Sequence, residues 1–279
     1  PRYLFYRIFH NGAIKLMAKS FIYPVATATI TDGAYGTLVN GGTTYGFSSD
    51  NTVANEHRIS DDSIGSAVSS YGSSINDTIQ FDLGGSYACD VIAIYLSAAS
   101  TANLALYYSS SAINMGSDSS DPSVPLATSP SMLTNHDAGW NIRTFTEITD
   151  RYWYVRAIGG DITPSEIIIG KKYDFDANPD INSKFGEEFN TDINISYGGD
   201  EYACKRHEPK STWEFSWDFL LGDQKTALES LNSTVQDNRK FIYYDETSYH
   251  YVIMGKPLEF TEVAPSVYST SMTLREQLA

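Results

Sequence analysis

Chemistry in a polypeptide starts from side chains that ionise, coordinate or attack. This chain offers five histidines, two cysteines and 34 carboxylates among 279 residues. His10, His57, His136, His207 and His250 are scattered, and none has a second His or Cys at the short spacing that sets two ligands on one metal. No zinc site is expected. There is no Gly-x-Ser-x-Gly elbow, no phosphate-cradling glycine-rich loop before a helix, and no cysteine with an obvious basic partner. An acid/base pair for glycoside hydrolysis needs two carboxyls facing each other about 5–9.5 Å apart, and no spacing here designates such a pair. The nearest metal motif is Asp174-x-Asp176-x-Asn178-x-Asp180, the opening of a calcium loop, but Pro179 stands where the loop needs Gly and Phe185 where it needs Glu. A solvated Asp/Asn/Pro turn accounts for it. The expectation is a chain with no catalytic residues, no metal and no cofactor, and with ligand-binding residues unassigned.

Binding chemistry has one conspicuous candidate. In Ser211–Leu220, "STWEFSWDFL", Trp213, Phe215, Trp217 and Phe219 alternate with Glu214, Ser216 and Asp218. An extended strand points successive side chains to opposite faces, so the four aromatics share one face. That face is either a surface on which a ligand stacks or the inside of a wall. One amphipathic helix and several half-apolar strands elsewhere in the chain need a shared interior, so the row is expected in the core.

Those strands define the organisation. Between 23 and 160, short alternating segments are separated by Gly, Ser and Asp clusters, the pattern of an antiparallel all-β domain. Ile79, Phe81 and Leu83 alternate, Val91–Leu96 is a continuous apolar run, and Leu104–Tyr108, Trp140–Phe145 and Tyr152–Ile158 follow. The weakly periodic stretch Ser109–Gly139 reads as a long loop. Gly159-Gly160-Asp161 and Pro164 suggest a boundary. Beyond it, strands are expected near Ile167–Phe175, Ile193–Tyr197, Glu201–His207, Phe241–Asp245, Tyr249–Gly255, Leu258–Val263 and Tyr268–Arg275. A helix near 223–236 is expected with Asp223 as N-cap, because Leu228, Leu231 and Val235 recur at spacings of three and four. The predicted division is a basic arm or strand over 1–22, one β domain over 23–160 and a second over 161–279.

Charge narrows the partners. The net charge is -15, with residues 1–160 contributing -5 and 161–279 contributing -10. Phosphate backbones and anionic membranes are held by clustered Lys and Arg, so sequence-specific nucleic-acid binding and membrane insertion are not expected. The first 22 residues run the other way, with Arg2, Arg7, Lys15 and Lys19 and no acid. Cys89 and Cys204 fall in different halves, which argues against a disulfide framework.

Two family resemblances rest on these segments. Ile79–Gly84 ("IQFDLG"), Val91–Leu96, Leu104–Ser109, Gly139-Trp140 and Tyr152–Ala157 ("YWYVRA") resemble, in order and spacing, a discoidin or coagulation-factor-type module, the galactose-binding-like jelly roll, over roughly 23–160. That family's flanking cysteine pair is absent. Residues 161–279 are similar to the distal-tail and minor-tail proteins of long-tailed bacteriophages, built on the tail-tube fold. Ile167–Gly170 leading into Lys171–Phe175, then Tyr202–Arg206, Trp213–Phe219, the helix from Asp223 and Tyr268–Glu276 carry that likeness. Together they imply an all-β chain with one short helix and no enzyme activity. They also imply a homo-oligomeric ring, a hexamer, at a phage tail tip or baseplate, touching tail-tube and hub proteins, with the jelly roll outward as a contact for host glycans. The implied location is the virion, assembled in the host cytoplasm. The acidic second half suggests a lumen that repels DNA. The rival expectations are a free carbohydrate-binding protein and a hydrolase with an appended binding module.

Overall fold

A computed structural model describes residues 19–26, 38–40, 43–45, 63–65, 78–110, 136–158, 162–175, 179, 183–189, 191–236 and 239–277. Its elements are β1 (Ser20–Pro24), β2 (Leu38–Asn40), β3 (Thr43–Tyr45), β4 (Thr78–Leu96), β5 (Asn103–Ser109), β6 (Gly139–Ile158), β7 (Pro164–Asp174), β8 (Lys184–Glu188), β9 (Thr191–Ile195), β10 (Glu201–Lys205), β11 (Lys210–Leu221), α1 (Gly222–Val235), β12 (Lys240–Tyr244), β13 (Tyr249–Met254), β14 (Thr261–Ala264) and β15 (Val267–Glu276). Among the described residues the chain is all-β with a single helix. Eleven strands form one antiparallel sheet in the order β5-β6-β4-β7-β1-β12-β13-β15-β11-β8, with β14 also paired to β15. β2 with β3, and β9 with β10, form separate two-stranded pairs. Among the described residues no helix is long and apolar enough to cross a membrane.

The longest ladder joins β4 to β6, from Thr78 opposite Arg156 to Leu96 opposite Gly139. The apolar run Val91–Leu96 sits there because both its faces are covered. Ile92, Ile94 and Leu96 pack with Phe81, Leu104, Trp153, Ile167 and Ile169, while Val91 and Ala93 join Ile22, Ile168, Ile242 and Tyr251 on the other side.

β7 joins the two halves. Its residues from Pro164 to Gly170 pair with β4, and those from Gly170 to Asp174 pair with β1. Gly170 therefore faces Val91 on one flank and Pro24 on the other. A Cβ at Gly170 would lie 1.9 Å from the Tyr23 carbonyl oxygen, so the close approach of β1 admits only glycine. β1 runs across the expected 22/23 boundary and pairs with a strand lying beyond the 160/161 boundary, so the segments entering and leaving the first half lie side by side. Residues 1–18 of the basic arm lie outside the described residues. Lys19 is described, and its ammonium sits 5.2 Å from the Phe185 ring centre.

The second core surrounds α1. Leu228, Leu231 and Val235 are fully buried against Phe21, Tyr23, Phe215, Phe241 and Met272, as the helical spacing predicts. Capping differs from expectation. β11 runs straight into the helix, so its last residue, Leu221, is the N-cap, and Asp223 lies in the first turn. The Gln224 side-chain oxygen reaches back to the Leu221 amide at 2.9 Å, and Asp223 accepts from the Gln224 amide at 3.0 Å. The acid still complements the helix dipole.

Candidate functional site

The aromatic row of β11 is a wall with one exception. Trp213, Phe215 and Trp217 are buried, but Phe219 is 68 % exposed and Leu220 takes the inward place. Pairing with β15 slips between Trp217, opposite Thr270, and Leu220, opposite Tyr268, so Asp218 and Phe219 together face Ser269. That bulge reverses the alternation and turns Phe219 outward. With exposed Leu221 on the same strand and exposed Val263 on β14, it leaves apolar surface at this end of β11.

At the other end of β11 the chain leaves the sheet. β8 pairs with β11 from Lys184 opposite Glu214 to Glu188 opposite Lys210, and just beyond, β9 and β10 pair only with each other among the described strands. The result is a ribbon that continues the β8–β11 ladder away from the body. Gly199 supplies the positive φ of its tight turn, where the Ser196 amide donates to Asp200 and the Gly199 amide to Ser196. Register places Ile193 opposite Ala203 and Tyr202 opposite Asn194, so apolar side chains stand on both faces. Ile195 is 67 % exposed and Tyr202 60 %, with Phe189, Ile193 and Tyr197 exposed beside them. Ion pairs Arg206–Asp192 and Lys205–Glu208 brace the stem. Cys204 is free and exposed on this ribbon, whereas free Cys89 is buried, which pushes its thiol up to about 12.

One histidine has chemistry around it. His250 on β13 places Nε2 3.1 Å from Asp245 and Nδ1 3.0 Å from Glu276. Its ring lies 4.8 Å from Trp213 and is stacked on Tyr243 at 6.2 Å. Burial raises Asp245, but bonds from the Thr247 hydroxyl and amide, the Ser248 amide and His250 outweigh it and hold the carboxyl at about 2. Glu276 is likewise raised by burial and brought below its usual range by bonds from His250 and Ser211. Asp245 and Glu276 stand five and 26 residues from His250, so no local spacing could have joined the three. The Asp-x-Thr-Ser turn before the histidine was the only sequence signal.

The first half presents a different surface. Arg151 on β6 forks onto Asp82 on β4 at 2.6 and 2.8 Å and lies 4.9 Å from the centre of the Tyr152 ring. Hydrogen bonding from Arg151 holds Asp82 below the usual carboxylate range. Next to it, pairing of β4 slips between Asp82 and Tyr87, with Gly84 at positive φ and Tyr87 exposed over Gly85. A partly exposed guanidinium and the exposed Tyr87 phenol near it can meet hydroxyl-rich ligands. Trp140 serves otherwise. It packs edge-on against Tyr95 and tilted against Tyr251, both at 5.3 Å, beside the cluster that holds Val91 and Ile168.

His136 is buried, its backbone bridging Ser100, and the His207 ring contacts the Glu208 carbonyl. His10, His57, most of Ser109–Gly139 and most of the calcium-like run lie outside the described residues. Among the described residues no three His, Cys, Asp or Glu side chains cluster to hold a metal.

No protein-family model matches the chain, and no curated protein matches it. Solved structures give partial likenesses. Chitosan-binding module 2, in complex with chitotriose, from a chitosanase/glucanase of Paenibacillus sp. IK-5 is 18 % identical, with a TM-score of 0.35 over 44 % of this chain and 92 % of the module. Module 1 of that enzyme is 20 % identical, with a TM-score of 0.30 over 40 % and 80 %. Truncated AlyQ, with CBM32 and alginate lyase domains, is 13 % identical, with a TM-score of 0.36 over 82 % of this chain and 55 % of its own. None of the three is a phage tail protein. The fold rests on the strand pairing described above.

Proposed function

We propose that the protein is a non-enzymatic carbohydrate-binding protein that works in multiple copies. The first half supplies the glycan contact, and the second half joins one copy to the next. The observation carrying the multi-copy part is the β9–β10 ribbon. A lone two-stranded hairpin is at best marginally stable in water, and this one holds large apolar side chains into solvent on both faces. A neighbouring copy is the partner proposed to cover it. The glycan part is supported by the discoidin-like segments and by Asp82, Arg151 and the exposed Tyr87, whose polar and aromatic groups suit sugar hydroxyls and ring faces.

The finer setting we propose is a ring, a hexamer, at the tail tip or baseplate of a long-tailed bacteriophage, with the first half outward. The tail-tube-like segments of residues 161–279 support it. A free carbohydrate-binding protein is the second reading, favoured by the partly exposed Asp82–Arg151 pair, which needs no assembly to act.

Sedimentation of the full chain over a range of concentrations, beside a glycan array, separates the readings. The proposal expects concentration-dependent oligomers and a glycan signal that falls on Arg151→Ala or Tyr87→Ala. A strict monomer that keeps the signal leaves the free binding protein. Oligomers without any glycan signal remove the carbohydrate part.

A further inference from the structure

His250 links the β12–β13 turn to β15 through both ring nitrogens. Carboxylates accept and never donate, so a ring with a carboxylate oxygen at each nitrogen satisfies both only when both nitrogens carry a proton. The ring is only 18 % exposed, stacked on Tyr243 and tilted against Trp213. The titratable groups in contact with it are Asp245 from the turn after β12, Tyr243 from β12 and Glu276 from β15. β11 contributes Trp213 and the Ser211 amide, neither of which titrates.

The position of these partners matters. Asp245 closes the β12–β13 turn by accepting from Thr247 at 2.9 and 2.7 Å and from Ser248 at 2.7 Å. The second oxygen of Glu276 accepts from the Ser211 amide at 3.1 Å. Ser211 follows Lys210, where the ribbon meets the sheet, and Arg275, beside Glu276, reaches across to Glu188 at 3.0 Å on the opposite strand of that same root.

We propose that His250 is a proton-operated latch that couples pH to the root of the ribbon, closed while the ring is an imidazolium between two carboxylates and released when the ring gives up one proton. On release, one carboxylate loses its donor and faces a ring lone pair. Because Glu276 also holds Ser211, the loosening reaches the base of β11. The acid limit is set by the carboxylates. Their bonds favour the ionised form, so the latch persists as pH falls until one of the two carboxylates takes up a proton. It opens on the alkaline side through the ring.

The test is a pH series on the full chain, following the His250 ring by NMR and backbone protection by hydrogen exchange corrected for the intrinsic rate. The expected result is that protection of segments 208–213 and 245–250 falls about tenfold as the His250 ring deprotonates, the size of a lost charged hydrogen bond. His250→Gln should show the low protection at every pH. Should that variant fail to fold, Glu276→Gln decides, because removing one carboxylate should move the opening to lower pH. Protection that stays constant while the ring titrates, or an opening that Glu276→Gln does not move, overturns the latch.

Discussion

Two antiparallel pairs in this chain share a local geometry and differ in their surroundings: β4 with β6, and β9 with β10. Both alternate apolar and polar side chains over part of their length, and both pair their facing backbone groups in an antiparallel ladder. β4 and β6 carry further strands on their outer flanks and are packed on both faces, so Ile92, Ile94, Val91 and Trp153 are buried. β9 and β10 have neither, and Ile193, Ile195 and Tyr202 stand in solvent. The contrast teaches that strand pattern decides which side chains share a face, while burial is decided by what the topology brings over that face.

The comparison breaks most severely at the seam that gives β4 its second neighbour. Gly170→Ala puts a methyl where the Tyr23 carbonyl oxygen already lies, and backbone on a strand paired along both edges has little room to retreat. A loss of about 4 kcal/mol or failure to fold is expected in denaturant unfolding. A loss below about 1 kcal/mol would show that β1 is not held against β7 as described.

A second contrast lies within β11 itself. Trp217→Ala empties a buried site and should cost about 3–5 kcal/mol, whereas Phe219→Ala, two residues on, should stay within about 0.5 kcal/mol. Equal costs would mean that no bulge separates them. The same pair shows what the sequence made legible. Alternation located the strand and put three of its four aromatics inside, because their spacing follows the pleat. The bulge that exposes Phe219 depends on how β11 registers against Thr270 and Tyr268 on β15, some fifty residues later, and nothing near Asp218 announces it. The helix face was legible for the same reason as the strand, since Leu228, Leu231 and Val235 repeat at a local period. Its cap was not, because Asp223 resembles a cap in isolation and only the direct run of β11 into the helix assigns that position to Leu221. The Asp245–His250–Glu276 cluster was the least legible, being made by strand order. The edge strand β8 was also missed, its five residues being exposed and carrying little apolar pattern.

A smaller effect tests how the core treats a polar group. Tyr243 is fully buried, burial pushes its hydroxyl pKa up, and that hydroxyl finds no hydrogen-bond partner among the described residues. Tyr243→Phe keeps the ring that packs on Trp213, Phe215 and His250 and removes the orphan. Thermal or denaturant unfolding should show a gain of about 1 kcal/mol. A loss of similar size would reveal a partner for the hydroxyl.

The smallest expected effect on the fold is also the most telling for function. Ile195→Ser with Tyr202→Ser changes the two faces of the ribbon, and neither side chain belongs to a buried cluster. Unfolding stability should therefore move by no more than about 0.5 kcal/mol, as for exposed positions in general. Self-association measured by sedimentation should weaken sharply, because side chains that contribute nothing to the isolated fold are free to contribute to contact between copies. If the double variant instead unfolds more than about 2 kcal/mol more easily, the ribbon is packed on its own body. If stability and association are both unchanged, copies meet elsewhere, and the apolar end of β11 at Phe219 and Leu221 becomes the place to substitute next.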